Sequence, residues 1–498
     1  MGFCLFLRLL MSVENDQYEI VIGLEVHAQL LTQSKLFCGD SIAFGAEPNT
    51  HVSPITLAHP GTLPKMNRQA IGHAIKMGLA CHCEIEKKNY FARKNYFYPD
   101  LPKGYQISQH TTPICKNGYV TIKTENSEKD IRLNRIHMEE DAGKSLHDVN
   151  DRNTAVDYNR AGTPLVEIVT EPDLRSSDEA FAYVSELRKL VRYLGICDGN
   201  MEEGSMRCDA NISVRKKGDE KLGTKVEVKN LNSIRNVKRA IDFEAQRLIK
   251  MLEAGETIRQ QTRSFDANNG TTFAIRDKED AEDYRYFPDP DLTPFDLKDT
   301  FIDEIRAMIP ALPVERIKKY TEQYHLPDYD AQVLTEEKEF SDYFEACLLS
   351  TPSEGDRGTA KAIANWMLGP VKSWMNDNGK SIHEFPLKPA QMMALIKCVD
   401  DGKLSFSTAS TRLMQLLLQN PSEDPLTLAE KNNLIQQSDS SALEPVIEAV
   451  LEQLADKVAA YKKGKKGLLA LFVGEVMKRT KGKADPKKTN EIILEKLK

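Results

Sequence analysis

The feature that most restricts this chain is a change of hydrophobic period. From Tyr18 to about residue 290 the apolar residues recur in short alternating runs broken by Gly and Pro, with few convincing helices, such as the amphipathic stretch from Ser177 to Leu194. Past Pro288-Asp-Pro290 the spacing becomes helical, as in Phe340-Ser-Asp-Tyr-Phe-Glu-Ala-Cys and Ala360-Lys-Ala-Ile-Ala-Asn-Trp-Met. A two-residue period lines one face of a strand and a 3.6-residue period one face of a helix, so the two stretches build different cores. At 498 residues the chain also exceeds one ordinary core. The expected fold class is α+β and multidomain: a sheet-rich domain over 18–292, an all-α domain over 293–402 and a small helical tail over 403–498. Gly402 and the polar stretch from Asn420 to Pro425 separate the last two, and Gly482 followed by Pro486 reads as a helix end and a helix start.

No stretch approaches the roughly 18 to 20 apolar residues that a membrane helix needs, so no membrane role is expected. The first 17 residues form an extension whose opening string, MGFCLFLRLLM, lacks a small-residue cleavage site. It reads as sequence ahead of a mis-assigned start, with Met11 as the true first residue, and Phe6 breaks the myristoylation pattern. The 9 cysteines are odd in number and scattered, as expected for reduced thiols in a cytoplasm or an organellar matrix. The net charge of -7 argues against a uniformly basic nucleic-acid coat. Yet from Lys457 onward there are 13 Lys or Arg against 4 Asp or Glu. A basic tail on an acidic body suits a polyanion at the C-terminal end, met by Lys465, Lys466, Lys478, Arg479, Lys481 and Lys483.

Four distant segments carry acids, bases and amides at strand spacing. In VIGLEVHAQL (21–30), Glu25 and His27 share one face while Leu24, Val26 and Ala28 share the other. Such a pair can hold a divalent cation, although alone it reads more simply as a half-exposed strand. In HMEEDAGKSLHD (137–148), Glu139, Glu140 and Asp141 adjoin, and three neighbouring carboxylates repel unless a cation sits among them, which suggests Mg2+. The following Gly143-Lys144-Ser145 is not a phosphate-binding P-loop, because Met138 stands where that loop needs glycine. In MEEGSMRCDANISV (201–214), Arg207, Asp209 and Asn211 share a face, with Glu203 just before them, and in VEVKNLNS (226–233) Glu227 and Lys229 do the same. The aromatic segment RKNYFYPDLPKGYQISQ (93–109) adds Lys94, Asp100, Lys103 and Gln106. It reads either as an ordered loop or as a wall contacting phosphate or adenosine. The convergence of four such segments is better explained by one polar cleft than by four solvated faces. Cys81-His82-Cys83 is too crowded to close a tetrahedral metal site and reads as packed or exposed thiols.

These strings, with FGAEPN, DYNRAGTPLVEIV, DYRYFPDPDL and LFVGEVMKRTKGKADP, resemble the B subunits of the aspartyl/glutamyl-tRNA amidotransferases from Tyr18 to about the end. The resemblance implies a cradle-shaped mixed-sheet domain with a kinase-like site, a helical middle domain, and a helical tail that touches tRNA. It implies a metal and ATP site on Glu25, His27, Glu139 and Glu140, with Lys94, Lys144, Glu203, Arg207, Asp209 and Lys229 lining the same cleft. It also implies three partners: an amidase A subunit that supplies ammonia, a small C subunit, and a misacylated tRNA. One departure stands out, because the family's zinc-ribbon positions read Cys38, Asp40, Ser53 and Thr56 here, so no structural zinc is expected and hydrogen bonds or packing should hold that loop.

The implied chemistry is ATP-dependent activation of the side-chain carboxylate of Glu-tRNA(Gln) or Asp-tRNA(Asn), followed by ammonia attack. A non-enzymatic tRNA-binding scaffold and a stand-alone ligase for a small carboxylate are the rival expectations. The first predicts no ATP turnover, and the second predicts activity without tRNA or partners.

Overall fold

Alternation along Tyr18–Gln29 (β1) buries Leu24, Val26 and Ala28 completely and turns Glu25 and His27 to the opposite side. In the computed structural model this strand is the middle of a large sheet. The structure describes residues 17–125, 127–146, 152–277, 285–350, 357–436, 440–480, 484 and 486–497. The extension before residue 17, with its alternative start at Met11, lies outside them, as do Lys481, Gly482 and Lys483.

The chain divides into two compact units, Met1–Leu312 and Pro313–Lys498. In the first, the other strands along the sheet are Ala92–Asn95 (β2), Tyr105–Ser108 (β3), Glu128–Glu140 (β4), Pro164–Thr170 (β5), Met206–Lys216 (β6), Val226–Leu231 (β7), Gln261–Asp266 (β8), Thr271–Asp277 (β9) and Phe287–Pro288 (β10). Their spatial order is β9-β8-β7-β6-β1-β5-β4-β3-β2-β10, within a sheet of 13 strands. Neighbours along this path run antiparallel except β7 and β8, which run parallel. A parallel pair needs a crossover, and the helix Ile234–Glu253 supplies it.

Three helices stand against the apolar side of the sheet: Arg68–Ala80 (α1), Ser177–Tyr193 (α2) and the crossover Ile234–Glu253 (α3). Each starts at a side-chain cap, from Asn67, Ser176 and Ser233, that accepts otherwise unsatisfied backbone N–H groups. Their buried faces, including Ile75, Tyr183, Leu187, Val237 and Ile241, join Leu24, Val26, Ile136, Met138, Val166, Ile168 and Ile212 in one core. Each such side chain contributes about 1.5–3 kcal/mol when fully buried. Because one face is committed to this core, a one-residue slip of any central strand would turn its apolar set out, and the register is held accordingly.

The second unit is helical throughout its described residues, so the molecule is a mixed α+β fold with a large mixed sheet and a helical C-terminal region. One core gathers Tyr320, Phe344, Trp366, Leu395 and Leu417, and runs from Tyr320 to Leu434. Pro370, which has no N–H to give, lies in a widened π turn at Met367–Val371. A smaller core from Leu443 to Leu497 is built by Ser440–Gln453, Ala455–Lys462, Leu469–Arg479 and Pro486–Lys496 around Ile447, Phe472 and Val476. Pro486 opens the last of these, the position where its missing N–H costs nothing. No described helix is long and apolar enough to cross a membrane.

Candidate active site

Register is what assembles the site. Across the sheet, His27 stands opposite Arg207 on β6 and Glu167 on β5, and Glu167 stands opposite His137 on β4. The adjacent rows pair Glu25 with Asp209 and Asn211 with Glu227. These side chains leave the sheet on the side away from the helices, where Glu25, His27, His137, Glu167 and Glu227 floor an open cavity of about 890 Å³. Lys94, Tyr96 and Tyr98 from β2 and the turn after it form one wall, and Lys225, Lys229 and Thr262 another. His110 and Tyr286 stack in parallel along the rim, with ring centroids 4.0 Å apart.

At the centre, ligand atoms of His27, Glu139 and Glu167 lie within 4.8 Å of one another. His27 Nε2 is 3.4 Å from Glu167 and 3.6 Å from Glu139. His137 Nε2 approaches the same two carboxylates, at 3.2 Å and 3.8 Å. Burial opposes charge on His27, but Glu167, and then Glu139 and Asp209, outweigh it and raise its pKa to about 9. Burial would also raise Glu167, yet His137 and His27 hold it well below the usual carboxylate range. Glu139 goes the other way: burial and the charge of Glu167 push it up, against the pull of both histidines and Lys94. Glu25 is likewise raised by burial and by Glu167, while the Asn211 amide donates to it at 2.8 Å and pulls back. One imidazole, one buried carboxylate and one half-buried one, the two acids repelling each other, fit the donor set of a divalent cation.

On the second wall, Lys229 bridges Asp209 at 3.2 Å and Glu227 at 2.9 Å. Burial opposes its charge, but the two acids outweigh it and raise its pKa. Arg207 donates to Asp141 at 2.9 Å.

Of the residues expected from sequence, Glu25, His27, Glu139, Lys94 and Lys229 line the cavity, and Asp209 adjoins through Lys229. Glu140 is placed elsewhere. As the next residue of the strand it points to the core side, where it lines a small pocket of about 20 Å³, room for about one water-sized molecule. There Lys103 pairs with it and the Ile107 N–H donates to it at 2.9 Å. Lys144 is exposed on a short ribbon with Ala155–Asp157, and Glu203 is exposed in the turn before β6; neither lines the cavity. The residues that sequence reasoning missed are Glu167 and His137. Their signals were a lone acid in the apolar strand PLVEIVT and a histidine two positions before Glu139.

The loop positions 38, 40, 53 and 56 converge on one carboxylate. Asp40 accepts from the Ser53 N–H at 2.8 Å, from Thr56 Oγ1 at 2.5 Å and from Cys38 Sγ at 3.3 Å. In the tail, Lys465, Lys466, Lys478 and Arg479 are exposed, with Lys466 over the Tyr461 ring.

Comparison with known proteins agrees along nearly the whole chain. Residues 20–303 match the family model described as the GatB/GatE catalytic domain, and residues 342–497 match the GatB domain. A protein of Syntrophotalea carbinolica, named as the B subunit of an aspartyl/glutamyl-tRNA(Asn/Gln) amidotransferase, is 48% identical over 97% of this chain and 99% of its own length. One of the same name from Thermodesulfovibrio yellowstonii is 47% identical over 97% of this chain and 100% of its own length.

Proposed function

The chain belongs to the GatB family of tRNA-dependent amidotransferase subunits, and from that premise we propose that its cavity activates the side-chain carboxylate of misacylated Glu-tRNA(Gln), Asp-tRNA(Asn) or both. The observation that carries the proposal is the convergence of His27, Glu139 and Glu167 within 4.8 Å, beside Lys94 on one wall and Lys229 on the other.

A carboxylate resists ammonia because oxide is a poor leaving group. In the proposed kinase-like step, a carboxylate oxygen of the aminoacyl group attacks the γ-phosphorus of ATP, the bond to the bridging oxygen breaks, and ADP leaves. Ammonia then attacks the acyl carbon of the acyl phosphate, phosphate leaves, and loss of a proton gives the amide of Gln-tRNA(Gln) or Asn-tRNA(Asn). The attacking carboxylate is already an anion, so the first step needs no strong general base. His27, Glu139 and Glu167 would hold Mg2+, with Glu25 adjacent, and the ion would supply positive charge against that of the transferring phosphate. Lys94 and Lys229 face the charge that spreads over the transferring group, and the His110–Tyr286 stack offers a flat rim. The sequence has no Gly/Ser-rich amidase signature, so ammonia comes from a partner amidase, the A subunit, with a small C subunit holding the pair. The work belongs to the cytoplasm, or an organellar matrix in a eukaryote. The basic tail contacts the tRNA backbone through Lys465, Lys466, Lys478 and Arg479, a contact that weakens with salt.

The experiment mixes the assembled complex with each misacylated tRNA, ATP and glutamine, and compares wild type with His27→Ala and Glu167→Gln. Both variants should lose amidation while keeping glutaminase activity. Wild-type rates in both would refute the site, and tRNA binding without any ATP turnover would favour a scaffold.

A further inference from the structure

The cavity is lined by charged and polar side chains from β4 to β7, and then its character changes. On β9 the side chains that continue it are Phe273 and Ile275, large apolar groups that are 54% and 56% exposed. We propose that this pair is a platform for an unpaired nucleobase near the 3′ end of the aminoacylated RNA, which stacks there and so holds the aminoacyl group at the activating site. The inference rests on the function proposed above and makes Phe273 and Ile275 substrate-binding residues.

Cross-strand register places the pair. Lys229 stands opposite Ser264, and Ser264 opposite Phe273, so all three share the face that carries Lys229 into the cavity wall. Thr272, next to Phe273 in sequence, points the other way and donates to Glu244 of α3 at 2.6 Å. Ile275, two residues past Phe273, is on the same face and lines the cavity itself. The ladder is irregular there: Thr262 stands opposite Arg276 and Arg263 opposite Ala274, which leaves Ile275 without a cross-strand partner. Such a bulge bends its strand and recurs beside active sites. β9 also ends the path of the sheet. Apolar side chains on an outer strand invite wrong association, a cost that a binding role offsets.

Chemistry selects the occupant. Every base presents a π face, and single-stranded nucleic acid is held by aromatic side chains set beside cations that follow its phosphates. Lys225 and Lys229, at the β7 wall between the platform and the group formed by His27, Glu139 and Glu167, supply those cations. Position separates the RNA end from ATP. β9 lies four strands from β1, about 19 Å along the sheet at ordinary strand spacing. That span suits a run of nucleotides leading out over the sheet edge. The base of an ATP whose phosphates meet the cation belongs nearer, on the Lys94 side, where Tyr96, Tyr98 and the His110–Tyr286 stack lie.

The test uses the assembled complex and misacylated tRNA in which 2-aminopurine, a base whose fluorescence falls on stacking, replaces each unpaired base of the 3′ end in turn. In wild type at least one label should be quenched on binding. Phe273→Ala should relieve that quenching and raise the KM for tRNA roughly 5- to 150-fold, the range that stacking one base carries. The KM for ATP and glutaminase activity should stay near wild type, and kcat should change less than the KM for tRNA. Phe273→Tyr should restore both readouts, whereas Phe273→Leu, apolar but without a ring face, should not. The inference is overturned if Phe273→Ala leaves quenching and the KM for tRNA unchanged, or if it raises the KM for ATP instead. Release of the A subunit by Phe273→Ala, with tRNA binding intact, would also overturn it and mark the patch as a protein interface. Wild-type amidation in Glu167→Gln would refute the activating site and take this inference with it. An inactive Glu167→Gln beside an indifferent Phe273→Ala would overturn the platform alone.

Discussion

Glu139 and Glu140 are adjacent in sequence and both buried, yet the strand that carries them delivers them to two cavities with different neighbours. On the open side Glu139 faces another acid, Glu167, and its pKa is pushed up by burial and by that neighbour. On the closed side Glu140 is matched by Lys103 and by the Ile107 N–H. A buried acid that the fold has saturated with partners belongs to the architecture; one that it leaves beside a like charge in the lining of an open cavity is what the proposed cation site calls for. The difference separates structure from chemistry at neighbouring positions, and substitutions can break it.

The largest effect should come from Glu139→Gln, which lowers amidation by about a hundredfold or more, the scale of several kcal/mol of lost charge stabilisation. Its thermal midpoint should stay level or rise, because a repulsion with Glu167 is removed; a fallen midpoint with an unchanged rate would erase the contrast. Glu140→Gln should show the reverse emphasis. It strands Lys103, at 15% exposure, without its counter-charge, a change that typically costs about 3 kcal/mol, measurable by denaturant unfolding. Asp40→Ala removes another saturated carboxylate, one nearer the surface, and should cost roughly 1–3 kcal/mol and open residues 41–56 to limited proteolysis. Unchanged cleavage there would show that the three hydrogen bonds to Asp40 do not hold the loop.

The smallest effect is expected at the far end of the same strand, where Arg132 grips Asp173 through two nitrogens at 2.8 Å and 2.7 Å but is itself 69% exposed. The hydrogen bond from Arg132 holds Asp173 below its ordinary range, against burial. Its contribution is therefore fully present above the unfolded value of about 3.9 and is lost as pH falls through the lower folded value. Asp173→Asn should lower stability by under about 1 kcal/mol at pH 7 and by nothing in strong acid. Thermal midpoints followed from pH 7 down to pH 2 check this, and a difference that persists at the acid end would contradict it.

Much of the site was legible because strand alternation is a local property. Glu25 with His27, Arg207 with Asp209, and Glu227 with Lys229 could each be assigned a common face from spacing alone, and the sheet puts those faces together. The same rule, carried one step further, separates Glu139 from Glu140; the attraction of three consecutive acids as a cluster obscured it. Glu167 was harder, because PLVEIVT reads as a buried strand and only its cross-strand neighbours, His27 and His137, explain why a charge is tolerated there. Those neighbours are set by pairings between segments far apart in the chain, which no local pattern contains. Lys144 and Glu203 illustrate the converse: both sit in motif strings that read as functional, and both point to solvent away from the cavity.

The order of strands in the sheet also sets a timetable. β1 is the first of the described strands to leave the ribosome, yet it pairs on one side with β5 and on the other with β6, Tyr18 meeting Lys216. At ordinary rates of synthesis that last partner emerges about ten to forty seconds after Tyr18 does. Until residue 164 emerges the future middle of the sheet has two open edges, and until residue 206 it keeps one, together with an apolar face, the properties that draw strands into wrong pairings. Any pause in translation before residue 206 lengthens that exposure, so the chain's yield in a cell should respond to the pace of its own synthesis.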